Sequence, residues 1–378
     1  MSHHVWRLIP RTIRRLLTTI PGWIRWGSSS LRTAPPRDRI GVYYGRDHIP
    51  DSNELSHGGA IKLQYLQQFF PNSPRSFNFL YAVSSALPRD WLSLIWLIKK
   101  QNLRMVWNQD GVAYPGWHGP GWEAVNKPMI RMLHAADYVL YQSEFCKLGA
   151  DRFLGKRVGP WRILYNPTDT KFFVPAKSDP DPRHLVLLSV GSFQAFYRFE
   201  SAVATLARVA RFRQNVRLIV AGRLVWDEQR KKVFKDAYRL IDQLNVRDKV
   251  ILLPPYTQAE APLIYQRAHV LVHTKYNDPC PTVVIEAMAS GLPVVYSGSG
   301  GVPELVGNEA GTGVPADLSW DKDIPPDPQL MAEAVLRVAE RQEEYSQAAR
   351  QRATERFDVY TWLEAHREVF SEVWSADT

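Results

Sequence analysis

Two carboxylates stand eight positions apart in NDPCPTVVIEAMASG, residues 277–291: Asp278 in a proline-flanked, loop-like stretch, and Glu286 amid Val283, Val284, Ile285, Ala287, Met288 and Ala289. Desolvating an ionised carboxylate without a partner is costly, so such a pair is expected to hold something. Taken singly, Asp278 reads as a cap or turn residue, and Glu286 has a structural alternative, an ion pair with an arginine such as Arg223. Other stretches offer groups for an anion. SVGSFQAFYRF places Arg198 after Gly191, and SHGGAIKLQYL sets Gly58 and Gly59 before a helix. Glycines let a backbone approach a phosphate closely, and a helix start such as that expected near Thr282 presents unpaired N–H groups and about half a positive charge. Alone, each is bland: a Gly-Gly turn, a solvated arginine, a flexible SGSGG loop at 297–301. His57 is a tempting general base whose alternative is a surface or structural role.

The elements that must position these residues come from the rest of the chain. From residue 39, strand-like apolar runs alternate with helical stretches, which calls for parallel sheets covered on both faces. The expected strands are 39–45, 77–83, 103–107, 137–143 and 161–166, then, beyond the proline-rich VPAKSDPDPR (174–183), 184–192, 216–222, 249–256, 269–274 and 292–298. The simplest architecture is two doubly wound α/β domains in tandem, 39–175 and 176–355, a division that suits 378 residues. Ligands of open parallel sheets bind beyond the carboxyl ends of the strands, where Asp278, Arg198 and Gly58 would all fall.

Composition narrows the classes. Cys146 and Cys280 have no metal-ligand spacing, so neither a disulfide framework nor a zinc site is indicated, and a reducing cytoplasm is expected. The longest apolar run, WLSLIWLI (91–98), is far short of the ~20 residues of a spanning helix. Of the net charge of +9, residues 1–38 supply +6, from seven Arg and a single acid. Within them Ile9, Ile13, Leu16, Leu17 and Ile20 share a helical stripe, flanked by Trp6, Trp23 and Trp26. That pattern fits an anionic membrane surface contacted through residues 5–26. A segment docked on the body, a disordered arm and a transit peptide stay open as alternatives. The body lacks a nucleic-acid signature, so no nucleic-acid partner is expected.

The stretch DPCPTVVIEAMASGLPVVYSGSGGVPELV (278–306) resembles the nucleotide-sugar-binding signature of family 4 glycosyltransferases, the glycosyl transferases group 1, which are retaining enzymes of the GT-B fold. The likeness rests on Asp278, Glu286, Ala287, Ala289, Gly291, Pro293, Val294, Val295, Gly300, Gly301, Pro303 and Glu304, and it extends to YNPTDTKFFVP (165–175) and ERFDVYTWLEAHREVF (355–370). It implies two Rossmann-like domains facing a central cleft, with a C-terminal helix (356–378) crossing back to the first. It implies a metal-independent hexosyltransferase-type enzyme (EC 2.4), without cofactor, whose donor substrate is a nucleotide diphosphate sugar. Glu286 would then bind the ribose, and Asp278 with the amides near Cys280, Pro281 and Thr282 the transferred sugar. Arg198, Gly191, Ser192, Arg223, Gly58 and Gly59 would bind the diphosphate, Tyr256 the base, and Asn108, Gln109 and Asp110 the sugar or acceptor. Tyr114 and Trp117 could stack on a sugar ring. Ser192 departs from the pattern, which has an Arg there, and Asp278 replaces a Glu. The acceptor implied is a glycan or lipid-linked molecule, in polysaccharide, glycolipid or envelope synthesis, with the protein cytoplasmic or peripheral on the inner membrane face. A GT-B epimerase or phosphorylase, a non-catalytic sugar-nucleotide binder and a membrane-surface protein are the alternatives.

Overall fold

The computed structural model describes residues 39–56 and 58–375; the basic segment 1–38 and His57, with the readings made of them, lie outside the described residues. Apolar runs with too few polar positions to face water on either side become strands buried on both faces. β1 (Val42–Tyr43), β2 (Phe79–Val83), β3 (Arg104–Gln109), β4 (Tyr138–Tyr141) and β5 (Trp161–Ile163) form one all-parallel sheet in that spatial order. A second parallel sheet holds β6 (Leu185–Phe193), β7 (Val216–Leu224), β8 (Val250–Leu253), β9 (Val270–His273), β10 (Val294–Gly298) and β11 (Gly311–Pro315), ordered β11-β10-β9-β6-β7-β8. β11 is absent from the sequence reading because GTGVP carries two glycines and a proline, a weak strand signal. As an edge strand it tolerates Pro315 without losing a ladder bond.

Six helices matter for the site: α1 (Gly58–Phe69), α2 (Glu144–Phe153), α3 (Phe196–Val209), α4 (Thr282–Ala289), α5 (Gln342–Arg356) and α6 (Val359–Ser375). α6 follows the second sheet in sequence yet packs on the first. Its Trp362, Val369, Phe370 and Val373, spaced for one helix face, are buried with Val42, Phe79, Tyr81 and Leu140. The chain therefore crosses between domains twice, and the two crossings run side by side: Thr168 N donates to Phe357 O (2.8 Å) and Val359 N to Thr168 O (2.9 Å). Arg350 of α5 pins them, donating to the carbonyls of Thr170, Phe173 and Ala289 at 2.8, 2.7 and 2.6 Å.

The carboxyl ends of the two sheets face each other across a cleft. In the second sheet the connections leaving β6 and β9, which are neighbours, diverge to opposite sides. The crevice opens at that strand-order reversal, between residues 191–198 and 274–282. Among the described residues no helix is long and apolar enough to cross a membrane.

Candidate active site

The cleft, of 520 Å³, is lined from the first domain by Gly58 and Gly59 at the start of α1 and by Ser85, Asp110, Gln142 and Asn166 just past strand ends. The second domain contributes Gly191, Ser192, Arg198, Arg223, Tyr256, Gln258, His273, Lys275, Asp278, Cys280, Pro281, Thr282 and Glu286. Both acids that open the sequence analysis therefore face one space.

Glu286, on α4, is almost wholly buried. It does not pair with Arg223. Gln258 Nε2 donates to its Oε1 (3.0 Å) and the Tyr265 hydroxyl to its Oε2 (2.8 Å). Burial pushes its pKa up to about 7, against the pull of those two donors. Asp278 has the opposite balance. Burial would raise its pKa, but Lys275, His273 and Arg198 outweigh it and hold the carboxyl well below the usual range. Lys275 Nζ lies 2.9 Å from Oδ1 and His273 Nε2 3.1 Å from Oδ2. Burial lowers the His273 pKa, which favours the neutral ring, and Nε2 faces the carboxylate.

Asp278 owes its place to a tight loop. Asn277 adopts a left-handed backbone, φ +49°, a conformation that asparagine tolerates better than most residues. Its N–H donates to Ser299 Oγ (2.9 Å). The SGSGG stretch is no slack loop: a Cβ at Gly300 would fall 2.5 Å from Asp278 O, and one at Gly301 2.0 Å from Pro279 O. Gly301 N also donates to Asp278 O (2.9 Å).

Between the acids lie the groups suited to an anion. α4 starts at Thr282 after Pro281, with no side chain capping its first N–H groups. α1 starts directly opposite, so close that a Cβ on Gly58 would come within 3.5 Å of Thr282 Oγ1. Arg198, buried on α3, donates to Ser192 O and lies over the Phe193 ring, while its Nε has no partner among the described residues. Burial lowers its pKa. Ser192 pairs in register with Arg223 across β6 and β7. The Arg223 guanidinium donates to Ser192 Oγ from Nε (3.1 Å) and Nη2 (2.9 Å).

The first-domain trio is not brought together at the cleft. Asp110 lines it, but Asn108 and Gln109 belong to β3 and are sealed in the domain interior. Asn108 accepts from Lys62 Nζ (2.7 Å) and donates to the Tyr81 hydroxyl (3.0 Å); Gln109 binds Trp107 Nε1 (2.8 Å) and Gly111 O (2.6 Å). The sequence reading of both as ligand contacts is corrected accordingly: β3 continues two residues past its expected end. Asp110 itself accepts from Lys62 (2.5 Å), Ser85 and Gln142. Tyr114 packs edge-on to Trp320, ring centres 4.9 Å apart. Lys275 lies three residues before Asp278, with no spacing signal of its own in the sequence. Gln258 and Tyr265 follow β8, on the very rim that the strand-end rule designates. Buried Lys62 had no sequence signal beyond sitting in an apolar run.

The sequence pattern of the family "Glycosyl transferases group 1" matches residues 171–356. The D-inositol 3-phosphate glycosyltransferase of Mycobacterium sp. strain KMS is 30% identical over 126 residues, 33% of this chain and 27% of that protein. That of Segniliparus rotundus is 29% identical over 157 residues, 42% and 34% of the two chains. The chain thus spans only about a quarter to a third of these relatives' length. Among solved structures, Anabaena HepE in complex with UDP superposes with a TM-score of 0.66 at 18% identity, over 78% of this chain and 79% of that one. Sucrose-phosphate synthase from Thermosynechococcus elongatus gives 0.63 at 20% identity, over 84% and 77%. Residues 171–356 of this chain carry the pattern of the glycosyl transferases group 1 family, and the chain is built on the GT-B fold.

Proposed function

We propose that the protein is a retaining glycosyltransferase that takes a sugar from a nucleotide diphosphate donor to an acceptor hydroxyl. One observation carries the reading: two uncapped or glycine-bearing helix starts and a buried guanidinium converge between Asp278 and Glu286, in one cleft. Ribose hydroxyls donate to the Glu286 carboxylate, and the sugar's hydroxyls to Asp278. The diphosphate lies between the starts of α1 and α4, against Arg198, with Arg223 supplying from β7 the cation that Ser192 lacks. The matched solved structures include HepE with UDP-glucose, which favours a uridine donor here.

In the reaction, the bond from the anomeric carbon to the leaving phosphate oxygen breaks. The acceptor oxygen forms its bond on the same face, and its proton passes to that phosphate oxygen. Fixed donors aimed at the developing negative charge are worth about 2.7–4 kcal/mol each in comparable sites. No protein base is needed at the anomeric centre, which accords with an Asp278 held ionised beside Lys275 and His273 and keeping lone pairs for the sugar's hydroxyls.

The test is titration calorimetry with UDP, GDP and ADP, followed by NMR of product formed from the corresponding sugar donors. One nucleotide should bind, Glu286→Ala should abolish that binding, and the product should keep the donor's anomeric configuration. An inverted product, or nucleotide binding indifferent to Glu286→Ala, would overturn the assignment.

A further inference from the structure

The segment DLSWDKD, residues 317–323, leaves the second sheet after β11 and reaches the first domain. Its burial is uneven. Leu318 stays 53% exposed, whereas Trp320, two residues on, is 6% exposed. The three aromatic rings that surround Trp320 all belong to the first domain. It stacks on Phe145 with ring centres 5.1 Å apart, and meets Tyr114 and Phe153 edge-on at 4.9 and 5.3 Å. The seat is written into α2. Phe145, Gly149 and Phe153 recur every four residues and share one helix face. Gly149 is the notch between the two rings: a Cβ there would come 3.4 Å from Trp320 Cη2. The backbone completes the fit where Gly116 N donates to Trp320 O (2.8 Å). Only glycine allows that approach, since a Cβ at 116 would lie 2.7 Å from Lys322 N.

The same segment is tied to the loop that carries Asp278. The Tyr276 hydroxyl donates to Asp317 O (2.6 Å) and accepts from Ser319 N (2.7 Å). Asn277 Nδ2 donates to Ser319 O (2.9 Å). Tyr276 and Asn277, both buried, are the two residues before Asp278. Both backbone polar groups of Ser319 are therefore bonded to the Asp278 loop, while the next residue sits in the other domain. The hydrogen bonds of Glu286, to Gln258 and Tyr265, are by contrast internal to the second domain.

We propose that Trp320 is a positioning residue for sugar transfer: seated in the first domain when the cleft closes, it fixes the Asp278 loop through Ser319, Tyr276 and Asn277. The inference rests on the donor reading above, in which Asp278 holds the transferred sugar. Parting the domains returns a large, mostly apolar ring to water, so the seated indole favours the closed form. The two grips on the donor then respond differently to closure. The nucleotide is held through Glu286 in either form, and the sugar is held in its reacting position only once Trp320 is seated.

Two substitutions reach the contact from opposite sides. Trp320→Ala removes the ring, and Gly149→Leu fills its seat from the first domain without touching the Asp278 loop. Hydrogen exchange and small-angle scattering of the nucleotide-free protein read the effect. Both variants should enlarge the radius of gyration and speed exchange of the amides at 275–278 about tenfold, and Trp320→Phe, which can still stack on Phe145, should restore most of both. UDP affinity by calorimetry should stay within about threefold. With the donor that calorimetry selects, kcat should fall about a hundredfold, the scale of loss from a misplaced reacting group, while KM for the donor changes little. Exchange at 275–278 that ignores Gly149→Leu, or a radius of gyration untouched by both variants, would overturn the proposal. So would a loss of UDP affinity as large as the loss of rate, since that marks damage to the nucleotide grip. Failure of the unaltered protein to bind any nucleoside diphosphate sinks the donor reading instead, and leaves exchange and scattering to decide whether Trp320 holds the loop.

Discussion

Glu286 and Asp278 are the same functional group put to opposite electrostatic use. Among the described residues no cation lies beside Glu286, so burial raises its pKa to about 7. Its task under the proposed function, accepting from ribose hydroxyls, requires the ionised form. Nucleotide affinity should therefore strengthen as pH rises through 7, level off above it, and weaken by about tenfold per unit well below it. Calorimetry from pH 5.5 to 8.5 checks this, and Glu286→Gln should flatten the profile as well as weaken binding. Asp278 is held ionised across that range by Lys275, His273 and Arg198, despite its burial. The stability it contributes is present above the ordinary carboxylate pKa and lost only as pH falls through its depressed folded value. Asp278→Asn should accordingly lower thermal stability at pH 7, with a difference that shrinks in strong acid. It should reduce transfer far more than nucleotide affinity. For the diphosphate, Arg198→Met keeps the bulk over Phe193 and removes the charge. Charge-assisted contacts of this kind are worth about 1.5–3 kcal/mol, and the loss should appear in nucleoside diphosphate affinity but not in that of the nucleoside alone.

At the scale of elements, α2 is where the second domain grips the first. Ser143, its N-cap, accepts from Cys146 N (3.0 Å) and donates to Pro279 O (2.7 Å). Glu304 accepts the N–H groups of Glu144 and Phe145 at 2.8 and 2.9 Å, so a carboxylate from one domain caps a helix of the other. Asn166 completes the contact with a bond to Cys280 O (2.7 Å). Glu304→Ala leaves two helix-start donors unpaired, a loss of about 0.5–2 kcal/mol for caps in general. In this position the cost falls on domain closure. The substitution should enlarge the radius of gyration of the nucleotide-free protein and slow transfer, with little effect on nucleotide binding, which scattering and kinetics read separately.

The whole molecule is two sheets joined by two adjacent crossings, with α6 returning to cover β1 and β2. Closure of such a pair sequesters reactants from water. A nucleoside diphosphate, bridging the starts of α1 and α4, should compact the molecule in small-angle scattering; an unchanged profile would show a rigid pair. Deleting residues 357–378 uncovers Phe79 and Tyr81 of the first sheet, and the truncated chain should aggregate rather than yield an active two-domain protein.

Much of this was legible in the sequence because the second domain's chemistry is local. Asp278, Pro281, Thr282 and Glu286 lie within one loop and one helix, so spacing alone sets them on a common wall, and the glycines at 300 and 301 mark where the backbone must come close. Strand positions were readable from apolar runs, except where β11 breaks the pattern. Tertiary structure alone decided the rest, because it depends on register and on contacts between distant segments. The partner of Ser192 is Arg223 only because β6 and β7 pair at that register. Asn108 and Gln109 turn inward because β3 runs to residue 109. Lys62 finds Asp110 across 48 positions of chain, and Gly116 of one domain meets Trp320 of the other. Short-range pattern fixes which groups a segment offers; only packing between segments determines which of them are left free to bind.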